Sequence, residues 1–150
     1  ILDTLVSNYN VWTGAITYNS RAGKIFKDGH SPDITTLATF NIPSWAAGHT
    51  CHPRLRLDDH STSKVSGSGL FDVFTSLAPA TASTTGWGPG NQRDQFVGRQ
   101  KAVRPNSGTA ASYNVDPTTN GGSFPCDKWA GSQIGVEYVG VYDVDDIEWD

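Results

Sequence analysis

The sequence predicts an all-β domain, an antiparallel β-sandwich of about eight strands with long loops, and a closed β-barrel is the alternative. Apolar and polar residues alternate over several short runs, as they do in strands that bury one face. The 16 glycines and 8 prolines are spread along the chain and favour many turns. No segment sustains the 3.6-residue period of an amphipathic helix.

The first third of the chain contains two predicted strands. One covers residues 10–18, where Trp12 and Ile16 share a face. The other covers residues 34–43, which are rich in threonine and β-branched residues. Residues 21–29 lie between them, are polar and contain glycine, and are therefore expected to form a loop or hairpin.

Residues 48–59 have the pattern of a half-buried strand with a cysteine on its apolar side. Cys51, Leu55 and Leu57 share one face, because successive side chains of a strand point in opposite directions. The only other cysteine is Cys126. A disulfide between the two would close a loop of about 75 residues, and the loop-closure entropy would contribute about 4–4.5 kcal/mol. Two buried free thiols are the alternative.

The middle of the chain is predicted to contain a central strand, residues 70–77. Both faces of this strand are largely apolar, and Phe71 and Val73 are expected in the core. Residues 61–69 precede it as a predicted surface turn, and residues 78–91 follow it as a long loop.

Further strands are predicted towards the C terminus, at residues 93–103, 110–115 and 133–149. Strict alternation in the first of these places Val97 and Arg99 on one face and Phe96 on the other. The last is the longest, and it ends in an acidic corner.

Composition limits the number of domains and the class of partner. A length of 150 residues predicts one domain, which we expect to be a monomer. A net charge of −4 with only 11 basic residues argues against nucleic-acid binding. No apolar run approaches the roughly 18 residues that span a membrane. The chain starts at Ile1 and contains no methionine, so we expect a secreted chain whose signal peptide was removed, or a domain cut from a larger protein.

Six segments between residue 40 and the C terminus carry a resemblance to a known family. They are FNIP at 40–43, the step from Gly48 to Cys51, SGSGLFDVF at 66–74, RDQFVGR at 93–99, FPC at 124–126 and VEYVGVYDVDDIEW at 136–149. In this order they resemble the But2 C-terminal domain-like family of fungi, found mostly in secreted or cell-surface proteins. The resemblance implies a secreted β-rich domain with a Cys51–Cys126 bridge and without an established catalytic activity.

Three tryptophans lie in predicted loops rich in glycine, serine and proline: Trp45, Trp87 and Trp129. Exposed aromatic rings form stacking platforms for sugars, whereas buried ones fill the open ends of a sandwich. We therefore expect a secreted, non-catalytic module that acts at the fungal cell wall or on extracellular polysaccharide. A structural or protein-interaction domain without a small ligand is an alternative.

A small glycoside hydrolase is the enzymatic alternative. Such an enzyme needs a pair of carboxylates, and Asp72, Asp94 and Glu137 lie within predicted strands. Ion pairs or hydrogen bonds would give the same residues a structural role instead. The G-x-S-x-G and H-E-x-x-H motifs are absent from the sequence.

A cluster of histidines raises the possibility of a metal site. His49, His52 and His60 lie within twelve residues, and histidine is a ligand that zinc and copper prefer. His49 and His52 are three residues apart on an extended segment, so their side chains point to opposite faces. This spacing favours exposed strand and loop histidines without a metal.

The acidic corner contains five carboxylates in eight residues: Asp143, Asp145, Asp146, Glu148 and Asp150. Oxygen ligands suit calcium, but the D-x-D-x-D-G spacing of a calcium loop is missing. We therefore expect a solvated acidic edge without a metal or cofactor. Part of the compensating charge is expected from arginines at 54, 56, 93 or 99.

Overall fold

The computed structural model describes residues 3–19, 22–57, 63–86, 92–102, 112–113 and 122–149. Within these residues the chain forms thirteen β-strands and two short 3-10 helices, and no α-helix. The strand pairs are antiparallel, and the sheets do not close into a barrel. The predicted all-β sandwich class is confirmed, and the barrel alternative is wrong.

The strands are β1 (Asp3–Asn10), β2 (Ile16–Tyr18), β3 (Gly23–Lys27), β4 (Ile34–Ile42), β5 (Thr50–Cys51), β6 (Arg56–Leu57), β7 (Lys64–Gly67), β8 (Leu70–Ser76), β9 (Arg93–Lys101), β10 (Ser112–Tyr113), β11 (Phe124–Pro125), β12 (Ser132–Gly140) and β13 (Asp145–Trp149). The 3-10 helices cover Ser44–Ala46 and Cys126–Trp129. No described helix has the length and apolar character needed to cross a membrane.

Nine of the described strands form one sheet. Its order is β7-β13-β3-β4-β12-β8-β9, and β1 pairs with β4 and with β2. Tyr138 of β12 lies opposite Thr36 of β4 on one side and Val73 of β8 on the other. The strand predicted at residues 70–77 is therefore a central strand, as expected. The short pairs β5–β11 and β6–β10 lie outside this sheet.

The main core lies on one face of the large sheet. Phe71, Val73 and Tyr138 contribute to it from the centre, with Phe71 and Tyr138 packed edge to face. Ile25 and Ile147, from the paired strands β3 and β13, belong to the same core and have no exposed area. The prediction that Phe71 and Val73 are core residues is confirmed, since both are fully buried.

The segment predicted as one strand at residues 48–59 consists of two short strands separated by Pro53. Proline has no N–H to donate to a neighbouring strand, so it interrupts the pairing. The predicted face is nevertheless right, because Leu55 and Leu57 are buried and Cys51 packs against the core. This segment covers part of the main core.

The strand predicted at residues 10–18 is wrong in its first half. Residues 11–13 form a turn, and Trp12 is 60% exposed. The side-chain oxygen of Asn10 accepts the N–H groups of Trp12 and Thr13, each at 3.1 Å. Asparagine favours such turns because its side chain mimics a backbone acceptor.

Strands occur in two further segments, residues 21–29, predicted as a loop or hairpin, and residues 61–69, predicted as a surface turn. In the first the hairpin alternative is closer to the structure than the loop, because β3 pairs antiparallel with the next strand, β4. Residues 21–29 include β3, in which Ile25 has no exposed area. Residues 61–69 include β7. Both strands are short and polar, and both pair with β13, which supplies the neighbouring backbone that makes them strands.

Candidate functional site

The strand β9 is irregular, and this irregularity decides which side chains reach the face opposite the main core. Its register against β8 shifts twice. As a result Arg93, Phe96 and Arg99, spaced three residues apart, share one face and lie opposite Ser76, Phe74 and Asp72. An extra residue in a β-bulge reverses the alternation beyond it. The prediction that Arg99 shares a face with Val97 and opposes Phe96 is therefore wrong.

Arg99 is fixed by a carboxylate and by an aromatic ring. Its Nε and Nη2 donate to the two oxygens of Asp72 at 2.7 and 3.2 Å. Its guanidinium lies 5.5 Å from the ring centroid of Tyr142, and Nη1 donates to the Tyr142 hydroxyl at 3.4 Å. The hydrogen bonds and charge of Asp72 raise the pKa of Arg99. Paired, stacked arginines of this kind have a defined orientation.

Arg93 makes a similar arrangement on the other side of Phe96. Its Nε donates to Oε1 of Glu137 at 2.8 Å, and its guanidinium lies 4.4 Å from the ring centroid of Phe74. The hydroxyl of Thr35 donates to Oε2 of Glu137 at 2.7 Å. Glu137 is fully buried, and its charge is compensated by an arginine side chain that is 43% exposed.

Phe96 is the most prominent apolar side chain between the two arginines, with 58% of its surface exposed. Its ring packs against that of Phe74 at a centroid distance of 5.5 Å. Tyr142, at the other end, is 61% exposed. We call this surface the arginine–aromatic face; it consists of Asp72, Phe74, Arg93, Phe96, Arg99, Glu137 and Tyr142. It presents aromatic rings and guanidinium groups while its two arginines and two carboxylates balance in charge.

The carboxylates considered for glycoside hydrolysis have structural partners. Asp72 and Glu137 share the arginine–aromatic face, where Asp72 lies opposite Val139, two residues from Glu137. Each pairs with a different arginine, and both oxygens of each accept hydrogen bonds. Asp94 accepts a hydrogen bond from the Gln95 side chain at 3.2 Å. Asp72 and Glu137 therefore do not form a free pair.

The acidic corner is only partly solvated. Asp143 is exposed in the turn between β12 and β13, whereas Asp145 has no exposed area and Asp146 is 9% exposed. Burial raises the pKa of Asp145 to about 6. Its Oδ1 accepts the Gly69 N–H at 3.0 Å, which connects this corner to the turn between β7 and β8. The expectation of a solvated edge is wrong for Asp145 and Asp146, because two neighbouring strands cover them.

Among the residues that the structure describes, lysines balance two acidic side chains of β13, Asp146 and Glu148. Lys64 Nζ lies 2.6 Å from Asp146 and 3.9 Å from Glu148. Lys24 Nζ lies 3.9 Å from Glu148 on the other side. Burial and the neighbouring Asp146 raise the pKa of Glu148. These lysines belong to the two strands that the sequence did not reveal, β7 and β3.

The expected arginine partners of the corner are engaged or placed elsewhere. Arg93 and Arg99 belong to the arginine–aromatic face. Arg54 forms no ion pair with any residue that the structure describes. The Arg56 side chain and Asp150 lie outside the described residues.

Cys51 and Cys126 form a disulfide with their Cα atoms 5.4 Å apart, as predicted. The bridge borders a pocket of about 440 Å³, which we call the disulfide pocket. Its floor is apolar and is formed by β4 and β12. Its mouth carries Trp45, His49, His52 and Arg54.

The predicted tryptophan sites are separate in the structure. Trp45 is 68% exposed at the mouth of the disulfide pocket, with its ring edge-on to His49 at 6.0 Å. Trp129 is partly buried, and its ring centroid lies 5.1 Å from that of Phe124. It borders a second pocket of about 410 Å³. Trp87 lies outside the described residues.

The candidate metal ligands do not converge within the described part of the chain. No group of three or more histidine, cysteine, aspartate or glutamate side chains there is arranged to hold a metal ion. His49 and His52 both line the mouth of the disulfide pocket. The third candidate, His60, lies outside the described residues.

Comparison with known proteins identifies the family. The family model described as "Ubiquitin 3 binding protein But2 C-terminal domain" matches residues 17–149. No curated protein and no solved structure matches the chain. Because the match covers most of the sequence and nearly all described strands, the chain belongs to the But2 C-terminal domain family.

Proposed function

We propose that this chain is a non-catalytic protein-interaction domain whose binding surface is the arginine–aromatic face. The observation that carries the proposal is the exposed Phe96 ring, which lies between Arg93 and Arg99. Aromatic residues and arginine are enriched where protein interfaces concentrate their binding energy. The family description supports a protein partner, since it names a binding protein.

The geometry of this face favours binding with little loss of side-chain freedom. Arg93 is held by Glu137 and Phe74, and Arg99 is held by Asp72 and Tyr142. Side chains that already occupy one orientation lose less entropy when a partner arrives. The arginine–aromatic face therefore supports a specific contact better than an equally large surface of mobile lysines would.

Photo-crosslinking tests the proposal even while the partner is unidentified. A photoreactive phenylalanine analogue replaces Phe96 in one protein and Trp12 in a control, because Trp12 is equally exposed in the β1–β2 turn. We expect a protein captured through position 96 and not through position 12. The captured protein is then purified, and Phe96→Ser should lower its affinity about tenfold while Trp12→Ser leaves it unchanged. Unchanged affinity of Phe96→Ser would contradict the proposal.

Purified ubiquitin is the first defined partner to test, because the family description names ubiquitin 3. Titration into the isotopically labelled chain should shift the backbone signals of Arg93, Phe96 and Arg99. Shifts confined to other surfaces would contradict the assignment of the binding face.

A polysaccharide is the second candidate ligand, and the exposed ring of Trp45 supports it. The chain would then act outside the cell, and the disulfide supports such a location because disulfides persist in oxidising compartments. Pull-down on chitin, β-glucan and cellulose tests this candidate, with Trp45→Ala compared with Trp12→Ala. Measurement of released reducing ends in the same samples tests the glycoside hydrolase alternative.

A further inference from the structure

The disulfide pocket carries an inference that does not depend on the arginine–aromatic face. We propose that this pocket binds a small amphiphilic carboxylate, whose apolar body enters the pocket and whose carboxylate meets Arg54 at the mouth. The pocket volume of about 440 Å³ is in the range typical of small-molecule sites, about 300–1,000 Å³.

The floor of the pocket suits an apolar body. It is lined by side chains of β4 and β12 that belong to or pack against the main core: Phe40, Ile42, Ile134 and Val136. Phe124 adds an aromatic wall. None of these side chains offers a polar atom, so the interior selects for hydrocarbon or aromatic surface.

The walls of the pocket are fixed by bonds that do not involve a ligand. The Cys126 N–H donates to the His49 carbonyl at 3.1 Å, next to the disulfide. Gln100 is fully buried, and its Nε2 donates to the Pro53 carbonyl at 2.6 Å. The Gln100 bond therefore anchors Pro53 to the large sheet, and the Cys126 bond with the disulfide fixes His49 and Cys51 to the second 3-10 helix. A pocket preformed in this way binds with less ordering cost.

The positive charge of Arg54 at the mouth favours an anion. Arg54, His49 and His52 line it, and no aspartate or glutamate lines the pocket among the residues that the structure describes. Asp127 is nearby in the chain, but it accepts the Gly48 N–H and borders the second pocket. This local charge contrasts with the net charge of −4 of the chain. A guanidinium group pairs well with a carboxylate, because its N–H groups match the two oxygens.

Three probes with the same hydrocarbon chain test the proposal: decanoate, decanol and decyltrimethylammonium, each below its micelle concentration. Isothermal titration calorimetry on the oxidised protein should give one site, with decanoate bound about tenfold more tightly than the cation. Backbone NMR shifts at Thr50, Ile134 and Val136 should accompany decanoate binding, because these residues line the pocket.

The variant Arg54→Gln separates the contribution of charge to the binding affinity from that of apolar contact. Arg54 is exposed, so its replacement should leave the melting temperature unchanged. We expect the decanoate affinity to fall about tenfold and the decanol affinity to stay the same. Lys101→Gln removes the same charge from an exposed position outside the pocket and should change neither affinity.

Two kinds of result would overturn the proposal. Equal affinities for the three probes, or an unchanged decanoate affinity in Arg54→Gln, would show that Arg54 at the mouth does not bind the carboxylate. Absence of decanoate binding to the folded, oxidised protein would show that the pocket is not a binding site. NMR shifts confined to residues outside the pocket would show the same.

Discussion

Arg93 reaches across the ring of Phe74 to the buried carboxylate of Glu137, so that one ion pair spans three strands of the sheet. The strands β9, β8 and β12 contribute Arg93, Phe74 and Glu137 in that order. Glu137 has no exposed area, while Arg93 keeps 43% of its side chain in solvent. The stability of the sheet and the shape of the arginine–aromatic face therefore depend on the same contact.

Removal of Arg93 should leave the buried carboxylate without its cation. We expect Arg93→Ala to lower the free energy of unfolding by about 1–3 kcal/mol, at the modest end for such pairs because Arg93 is partly solvated. Urea denaturation measures the change, and Lys101→Ala, at an exposed position of the same strand, is the control. The double variant Arg93→Ala with Glu137→Gln should lose less than the sum of the two single changes. A purely additive result would mean that the pair is not coupled.

Sequence patterns were sufficient for the parts of the fold that depend on regular alternation. The central strand β8 keeps strict alternation, so Phe71 and Val73 were assigned correctly to the core. The presence of only two cysteines and the core-facing position of Cys51 favoured the disulfide over two free thiols, and the family resemblance implied the same bridge. For β8 the information lies within a few neighbouring residues, whereas for the disulfide it lies in the cysteine count of the whole chain.

The arginine–aromatic face was not predictable in the same way. Two register shifts in β9 bring Arg93, Phe96 and Arg99 to one face at a spacing of three, which simple alternation excludes. The spacing R-x-x-F-x-x-R is visible in the sequence, but only the register against β8 shows that the three side chains share one face. The lysines of β3 and β7 were missed because both strands are short and depend on long-range pairing with β13, which no local sequence pattern shows.

Phe71 and Phe96 provide a matched test of burial, since both are phenylalanines on adjacent strands. Phe71 has no exposed area and Phe96 is 58% exposed. We expect Phe71→Ala to cost about 3–5 kcal/mol and Phe96→Ala less than about 1 kcal/mol, both by urea denaturation. Similar losses for the two variants would show that the Phe96 ring is a structural element rather than an available surface.

The disulfide should stabilise the folded chain mainly by restricting the unfolded one. Its cysteines are 75 residues apart in sequence, so loop-closure entropy predicts a loss of about 4 kcal/mol on its removal. Replacement of Cys51 and Cys126 by alanine together, compared with the oxidised protein by urea denaturation, measures this loss. Mass spectrometry with and without reductant checks the bridge itself. Free thiols at both positions in the natively produced protein would refute it.

Calcium should give no specific stabilisation at the acidic corner. Lys24 and Lys64 already balance Asp146 and Glu148, and no three of the described carboxylates are arranged to hold a metal ion. A calcium ion that binds only the folded state would add about 2.7 kcal/mol at a hundredfold excess over its Kd. Melting curves in EDTA, in millimolar calcium and in sodium chloride of equal ionic strength decide the question. A rise seen with calcium alone, and lost in Asp146→Ala, would contradict this prediction.

Asp145 should make the protein less stable as the pH rises from about 4 to about 7. The folded protein holds the Asp145 proton with a pKa of about 6, because the carboxyl group is buried, whereas the unfolded chain holds it with a pKa of about 3.9. Between these values the folded state binds more protons than the unfolded state, so its stability falls with increasing pH. The loss is half developed near the folded pKa of about 6 and is nearly complete about one pH unit higher.

Asp145→Asn isolates this contribution, because asparagine keeps an oxygen that accepts the Gly69 N–H but carries no charge. Below about pH 4 the variant and the natural chain should have similar stability, and above about pH 7 the variant should be more stable by about 1–3 kcal/mol. Asp28 and Glu148 also have shifted pKa values, lowered by the His30 and Ser31 N–H groups in the first case and raised by burial in the second. Their effects occur in both proteins and cancel in the difference. Urea denaturation from pH 3.5 to 7.5 measures that difference, and a value that does not change with pH would show that Asp145 is not the group responsible.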